Sequence, residues 1–132
     1  MRKNFTDILE SQKLRELGVP LTTADSFYEW QFTGTDGTGD TGEDIFFLGT
    51  NWAHEDVVIP AWSLTALLGM LPHRLKPSHK EYSLLMEKEG EDSWTVSYQS
   101  FAGSHLYTTT GTLFDAVYKM LVLLINQKSI KT

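Results

Sequence analysis

From Leu113 to Gln127 apolar side chains recur at helical spacing and then overfill it. Phe114, Val117, Tyr118, Leu121, Leu124 and Ile125 form one stripe, and Met120, Val122 and Leu123 carry it around much of the cylinder. Such a helix must be buried on more than one side. Burying a large apolar side chain contributes about 1.5–3 kcal/mol. Ordering each residue's backbone costs about 1–2 kcal/mol. Over this segment the two sums are of similar size. The helix therefore forms only where it packs, on a sheet or with one flank on a second copy of the chain. Its start is marked by Thr112, with Asp115 three residues on in a capping-box pattern.

The preceding segments supply the sheet. Glu81–Glu89, Trp94–Gln99 and His105–Thr109 read as a three-stranded meander. Trp94, Val96 and Tyr98 alternate with Thr95, Ser97 and Gln99, so one face is buried. Upstream, Phe27–Thr33 and Ile45–Leu48 read as a long-looped hairpin, and Val57–Ile59 as a short extended run ending at Pro60. A first helix is expected from a Thr6 cap to Gly18, with a thin apolar stripe interrupted by Ser11 and Gln12. A second runs over Leu64–Leu71, opened by Ser63 and stopped by Pro72. His73–Lys80 reads as a polar connection. The order predicts an α+β fold, with an antiparallel sheet of about five strands, three helices, and the C-terminal helix packed on the sheet. At 132 residues the chain suits a single domain, 1–132.

Composition excludes several classes of function. There is no cysteine, so neither a disulfide nor a thiolate metal site is possible. The first residues lead into no apolar stretch, so no secretory signal is expected. The longest apolar run, Met120–Ile125, is too short to span a bilayer. No membrane association and a cytoplasmic location are expected. Net charge is −6, which argues against direct nucleic-acid binding. The charge is also lopsided. No Lys or Arg occurs between Arg15 and Arg74, a stretch that carries Glu16, Asp25, Glu29, Asp36, Asp40, Glu43, Asp44, Glu55 and Asp56. It reads as a solvated acidic loop that aids solubility or as a face for a basic partner or a cation. Within it, residues 34–44 are a flexible acidic, glycine-rich loop.

The chemical motifs fail on context. Gly37-Thr38-Gly39-Asp40-Thr41-Gly42 has the spacing of a dinucleotide loop. An aromatic strand follows it where a helix is needed, and the carboxylates around it would repel a pyrophosphate. The spacing of Asp36, Asp40 and Asp44 does not match a calcium loop. His54, His73, His79 and His105 form no paired helical ligand motif, so no metal and no cofactor are expected. Ser104 and His105 are strand neighbours that point to opposite faces and cannot form a dyad. What remains is Asn51-Trp52-Ala53-His54-Glu55-Asp56 in a loop. Trp52, His54, Glu55 and Asp56 are the candidate partner-contact residues, because an exposed Trp marks a binding hot spot.

Three segments carry a resemblance. They are Leu14-Arg15-Glu16-Leu17-Gly18-Val19 followed by Thr23-Ala24-Asp25, then Pro60-Ala61-Trp62-Ser63-Leu64-Thr65-Ala66-Leu67-Leu68 with Leu71-Pro72, and Asp115-Ala116-Val117-Tyr118-Lys119-Met120-Leu121. Together they resemble a family of small uncharacterised proteins encoded by gut Bacteroidetes and their prophages or mobile elements. The resemblance implies a cytoplasmic protein of phage or mobile-element origin and supplies no catalytic residues.

The expected function is a non-enzymatic protein–protein interaction module that contacts another protein or a second copy of itself. One alternative is a small metal-dependent or hydrolytic enzyme using His54, Glu55 and Asp56. Another is an acidic nucleic-acid mimic that occupies a host protein's basic groove, which requires the carboxylates of residues 16–56 to line one face.

Overall fold

Asp7, not Thr6, begins the first helix. The computed structural model describes residues 4–31, 43–48, 58–77 and 79–129. In it α1 (Ile8–Glu16) opens on a reciprocal capping box. The Asp7 carboxylate accepts from the Glu10 amide at 2.7 Å, and the Asp7 amide donates to Glu10 Oε1 at 3.0 Å. Lys13 and Arg15 lie in its last turn, where cations favour the helix dipole. Gly18 ends it with φ of +87°, as the sequence predicts.

Thr6 is displaced from the cap because it is needed in the interior. It is fully buried, and its hydroxyl is bonded to the Ser11 hydroxyl at 2.8 Å and accepts from the Trp62 amide at 3.0 Å. Its amide donates to the Trp62 carbonyl at 2.9 Å, and its carbonyl accepts from the Tyr28 hydroxyl at 2.7 Å. This network ties the segment before α1 to one strand through Tyr28 and to Trp62, the residue that follows another, all in the compact body that spans Phe5–Ala66. Those strands are β1 (Ser26–Gln31) and β3 (Val58–Ala61). With β2 (Glu43–Leu48) they form an antiparallel sheet of order β2-β1-β3. Phe27 lies between Phe47 on one side and Pro60 on the other. The sequence places Pro60 after the strand, but the structure places it inside β3. Proline is tolerated there because β3 is an edge among the described strands, where one side of the backbone needs no ladder bond.

α2 (Leu64–Met70) follows. Asp25 accepts from the Ser63 amide at 2.9 Å and from the Ser63 hydroxyl, and Ser63 Oγ in turn accepts from the Ala66 amide at 3.1 Å. Serine thus caps this helix as expected, held in place by an aspartate 38 positions earlier.

A second compact body takes in Leu67–Thr132. It holds β4 (Arg74–Leu75), β5 (Tyr82–Lys88), β6 (Trp94–Ser100) and β7 (His105–Gly111), an antiparallel sheet in chain order, followed by α3 (Leu113–Asn126). The expected meander is β5–β6–β7. β4 is a two-residue addition inside what reads as a polar connection. α3 starts on Thr112, whose side chain accepts from the Asp115 amide at 3.2 Å. It packs on β6 and β7, as the width of its apolar stripe requires. Phe114, Ala116, Val117, Met120, Leu121 and Leu124 are all buried. Thr109 Oγ1 donates to the Ala116 carbonyl at 2.6 Å, which places Thr109 and its cross-strand partner Val96 on the helix side of the sheet. The α+β class and the docked C-terminal helix hold. The strands are divided between a three-stranded and a four-stranded sheet.

Gly111 joins β7 to α3 at φ of +138°, where side chains are disfavoured, and a Cβ there would sit 3.4 Å from Asp115 Cβ. Gly111→Ala is expected to cost about 1–3 kcal/mol, read as a lower midpoint in urea unfolding.

Tyr98 is fully buried, and its hydroxyl donates to the Pro72 carbonyl at 2.6 Å. Burial pushes its pKa well above the ordinary phenol value. The folded state therefore keeps a proton that the unfolded chain loses above about pH 10. Stability linked to Tyr98 is complete below that pH and falls above it, by up to ~1.4 kcal/mol per pH unit. Tyr98→Phe is expected to lower stability by about 1 kcal/mol at pH 7 and to flatten this alkaline limb. Urea midpoints measured from pH 7 to about pH 10.5 check both effects.

Candidate functional site

The face of the four-stranded sheet opposite α3 carries a cross-strand row of polar side chains. Val96 faces the helix, so Gln99, three residues along the same strand, faces away. Register then sets its neighbours. Ser83 on β5 lies opposite Gln99, and Arg74 on β4 lies opposite Ser83. On the other side β7 brings His105 into register with Gln99, after an irregularity that spends one extra residue. Side chains directly opposite on neighbouring strands stand about 4.5–5.5 Å apart at Cβ. The sheet therefore presents guanidinium, hydroxyl and amide groups side by side, with an imidazole at the end.

A cavity of about 370 Å³ opens on this row. Arg74, Ser83 and Gln99 line it, with Leu85 contributing apolar surface. Arg74 Nη1 lies 3.0 Å from Glu81 Oε1, and both side chains are largely exposed. A pair in such contact with water contributes little to stability. Its effect here is to hold one cation and one anion at the cavity wall, so both hydrogen-bond donors and acceptors line the site.

Phe101 stands at the rim, in the turn between β6 and β7. Its side chain is fully exposed, the most exposed large apolar group among the described residues. The turn is well ordered by its own bonds. The Ser100 amide donates to the Ser104 carbonyl at 2.8 Å, the Gly103 amide to the Ser100 carbonyl at 2.9 Å, and the Ser104 amide to Ser100 Oγ at 3.1 Å. A phenyl ring at a turn built this way gains nothing for folding and leaves apolar surface in water.

Ser83 and His105 share the row but are separated by two strand spacings, about 10 Å, beyond the reach of a proton transfer. Among the described residues no group of three or more His, Asp or Glu side chains is placed to hold a metal ion. No helix of the described residues is long and apolar enough to cross a membrane.

The candidate contact residues Trp52, His54, Glu55 and Asp56 lie outside the described residues, as does the acidic, glycine-rich loop up to residue 42. Glu43 and Asp44, read as the end of that loop, begin β2. The row of Arg74, Ser83 and Gln99 is not apparent in the sequence, because it depends on the register of three strands. Phe101 carried a signal, since a large apolar side chain is out of place in a Ser-Phe-Ala-Gly-Ser turn. Comparisons with protein-family models, curated proteins and solved structures find no match.

Proposed function

We propose that this chain is a non-enzymatic protein-interaction module, and that the groove beside Phe101 is its contact face for another protein. The observation that carries this reading is the fully exposed Phe101 ring at the rim of a cavity rich in donors and acceptors. An aromatic anchor surrounded by hydrogen-bonding groups is the make-up of a binding hot spot. The rigid turn limits the entropy lost when the ring docks. An extended segment of the partner fits best, because the row runs across the strands and offers a hydrogen-bonding group at each strand spacing. A phage or mobile-element origin, implied by the three resembling segments, belongs to the same proposal.

Affinity capture with the intact protein from extracts of the host cell tests it, with Phe101→Ser run alongside. The expected result is a partner held by the unmodified protein and reduced about tenfold or more by the substitution. The variant's unfolding free energy should stay within about 0.5 kcal/mol, because the ring is already in water. A partner retained equally by both proteins would contradict the reading.

A further inference from the structure

Among the described strands, β7 is the long free edge of the four-stranded sheet. Among them it pairs with β6 alone, and the opposite edge, β4, is two residues long. Its sequence, His105-Leu106-Tyr107-Thr108-Thr109-Thr110-Gly111, holds no proline, lysine, arginine or carboxylate. These are the residues with which sheet edges are usually closed to other strands. Thr108 and Thr110 are exposed. One guard comes from outside the strand, where Lys119 Nζ on α3 donates to the Thr110 carbonyl at 3.1 Å.

We propose that β7 pairs antiparallel with β7 of a second copy about a two-fold axis, joining the two sheets into one of eight strands. Two features favour a copy of the same chain as the occupant. First, the strand is self-complementary. Centred on Thr108, the pairing sets Thr108 against itself and Tyr107 against Thr109 on either side, within the regular part of β7, since the extra residue at Leu106 lies outside it. β-branched and aromatic residues thus meet, with no like charges opposed within the strand pair. Second, the helices fit. α3 rests on both β6 and β7, so with strands about 4.8 Å apart the two α3 axes stand about 10 Å from each other. Helices pack at about 8–10 Å. The flank of α3 over the edge is marked by Lys119, and helical spacing puts Val122, which is half-buried, beside it. That flank becomes the seam. Lys119 opposes pairing, because it occupies an edge acceptor and approaches its own copy across the axis.

The chain has no cysteine, so Thr108→Cys introduces a unique thiol. Sedimentation equilibrium of the unmodified protein should show a concentration-dependent dimer. Lys119→Ala should tighten it about fivefold or more, and Thr108→Pro should abolish it. Under mild oxidation Thr108→Cys should form a disulfide dimer about tenfold faster than Glu87→Cys, an exposed position on β5 away from this edge. The cross-linking comparison holds even where the proline variant folds poorly. An unmodified protein that stays monomeric, or equal cross-linking rates for the two cysteine variants, would overturn the proposal. Neither outcome bears on the groove at Phe101, which is tested by its own substitution.

Discussion

Leu121→Ala is expected to lower the unfolding free energy by about 3–4 kcal/mol. Leu121 is fully buried at the middle of α3, flanked along the helix by buried Val117, Met120 and Leu124. Truncation removes three heavy atoms from water-free packing and leaves a cavity that a helix held on two strands closes poorly. The transfer loss and the cavity add. Ala116, also fully buried, has no such volume to lose. Urea denaturation followed by circular dichroism measures the change. A loss below about 1 kcal/mol would mean that α3 does not form the core of its body.

Thr6→Val is expected to cost about 3 kcal/mol although it conserves shape. The substitution removes the hydroxyl that accepts from the Trp62 amide and bonds to Ser11, and all three residues are fully buried. Each buried group left without a partner costs about 1–3 kcal/mol. The Thr6 backbone bonds to Trp62 and Tyr28 persist, so the segment before α1 stays in place around an unsatisfied pair. Removing both sides of the hydroxyl pair with Thr6→Val and Ser11→Ala should recover part of the loss, because the Ser11 hydroxyl is then no longer stranded. The double variant's unfolding free energy checks this. If it is no more stable than Thr6→Val alone, the hydroxyl pair does not contribute as described.

The second body was the more legible in sequence because its signals are local. Thr112 and the apolar residues behind it announce α3, and the alternation of Trp94, Val96 and Tyr98 announces β6. The first body depends on partners far apart in sequence. Ser11 reads as a break in the apolar stripe of α1, yet it is buried because Thr6 meets it. Thr6 reads as a helix cap, yet it serves Trp62, 56 positions away. Pro60 reads as the end of a strand, yet it lies within β3, which tolerates it as an edge among the described strands. β4 has two residues and no periodicity to detect. The groove was illegible for the same reason. Arg74, Ser83 and Gln99 are separated by loops and become neighbours only through pairing. Phe101 also went unread, although a large apolar side chain in a Ser-Phe-Ala-Gly-Ser turn is a local signal.

The docking of α3 on β6 and β7 underlies the core, the orientation of the open face and the geometry of the proposed edge pairing. Native-state hydrogen exchange of the intact protein, followed amide by amide, tests it most directly. Amides of Val117–Leu124 should exchange with the same opening free energy as those of Val96–Tyr98, as one cooperative unit. Fast exchange throughout Val117–Leu124, with β6 still protected, would show a helix that does not rest on the sheet.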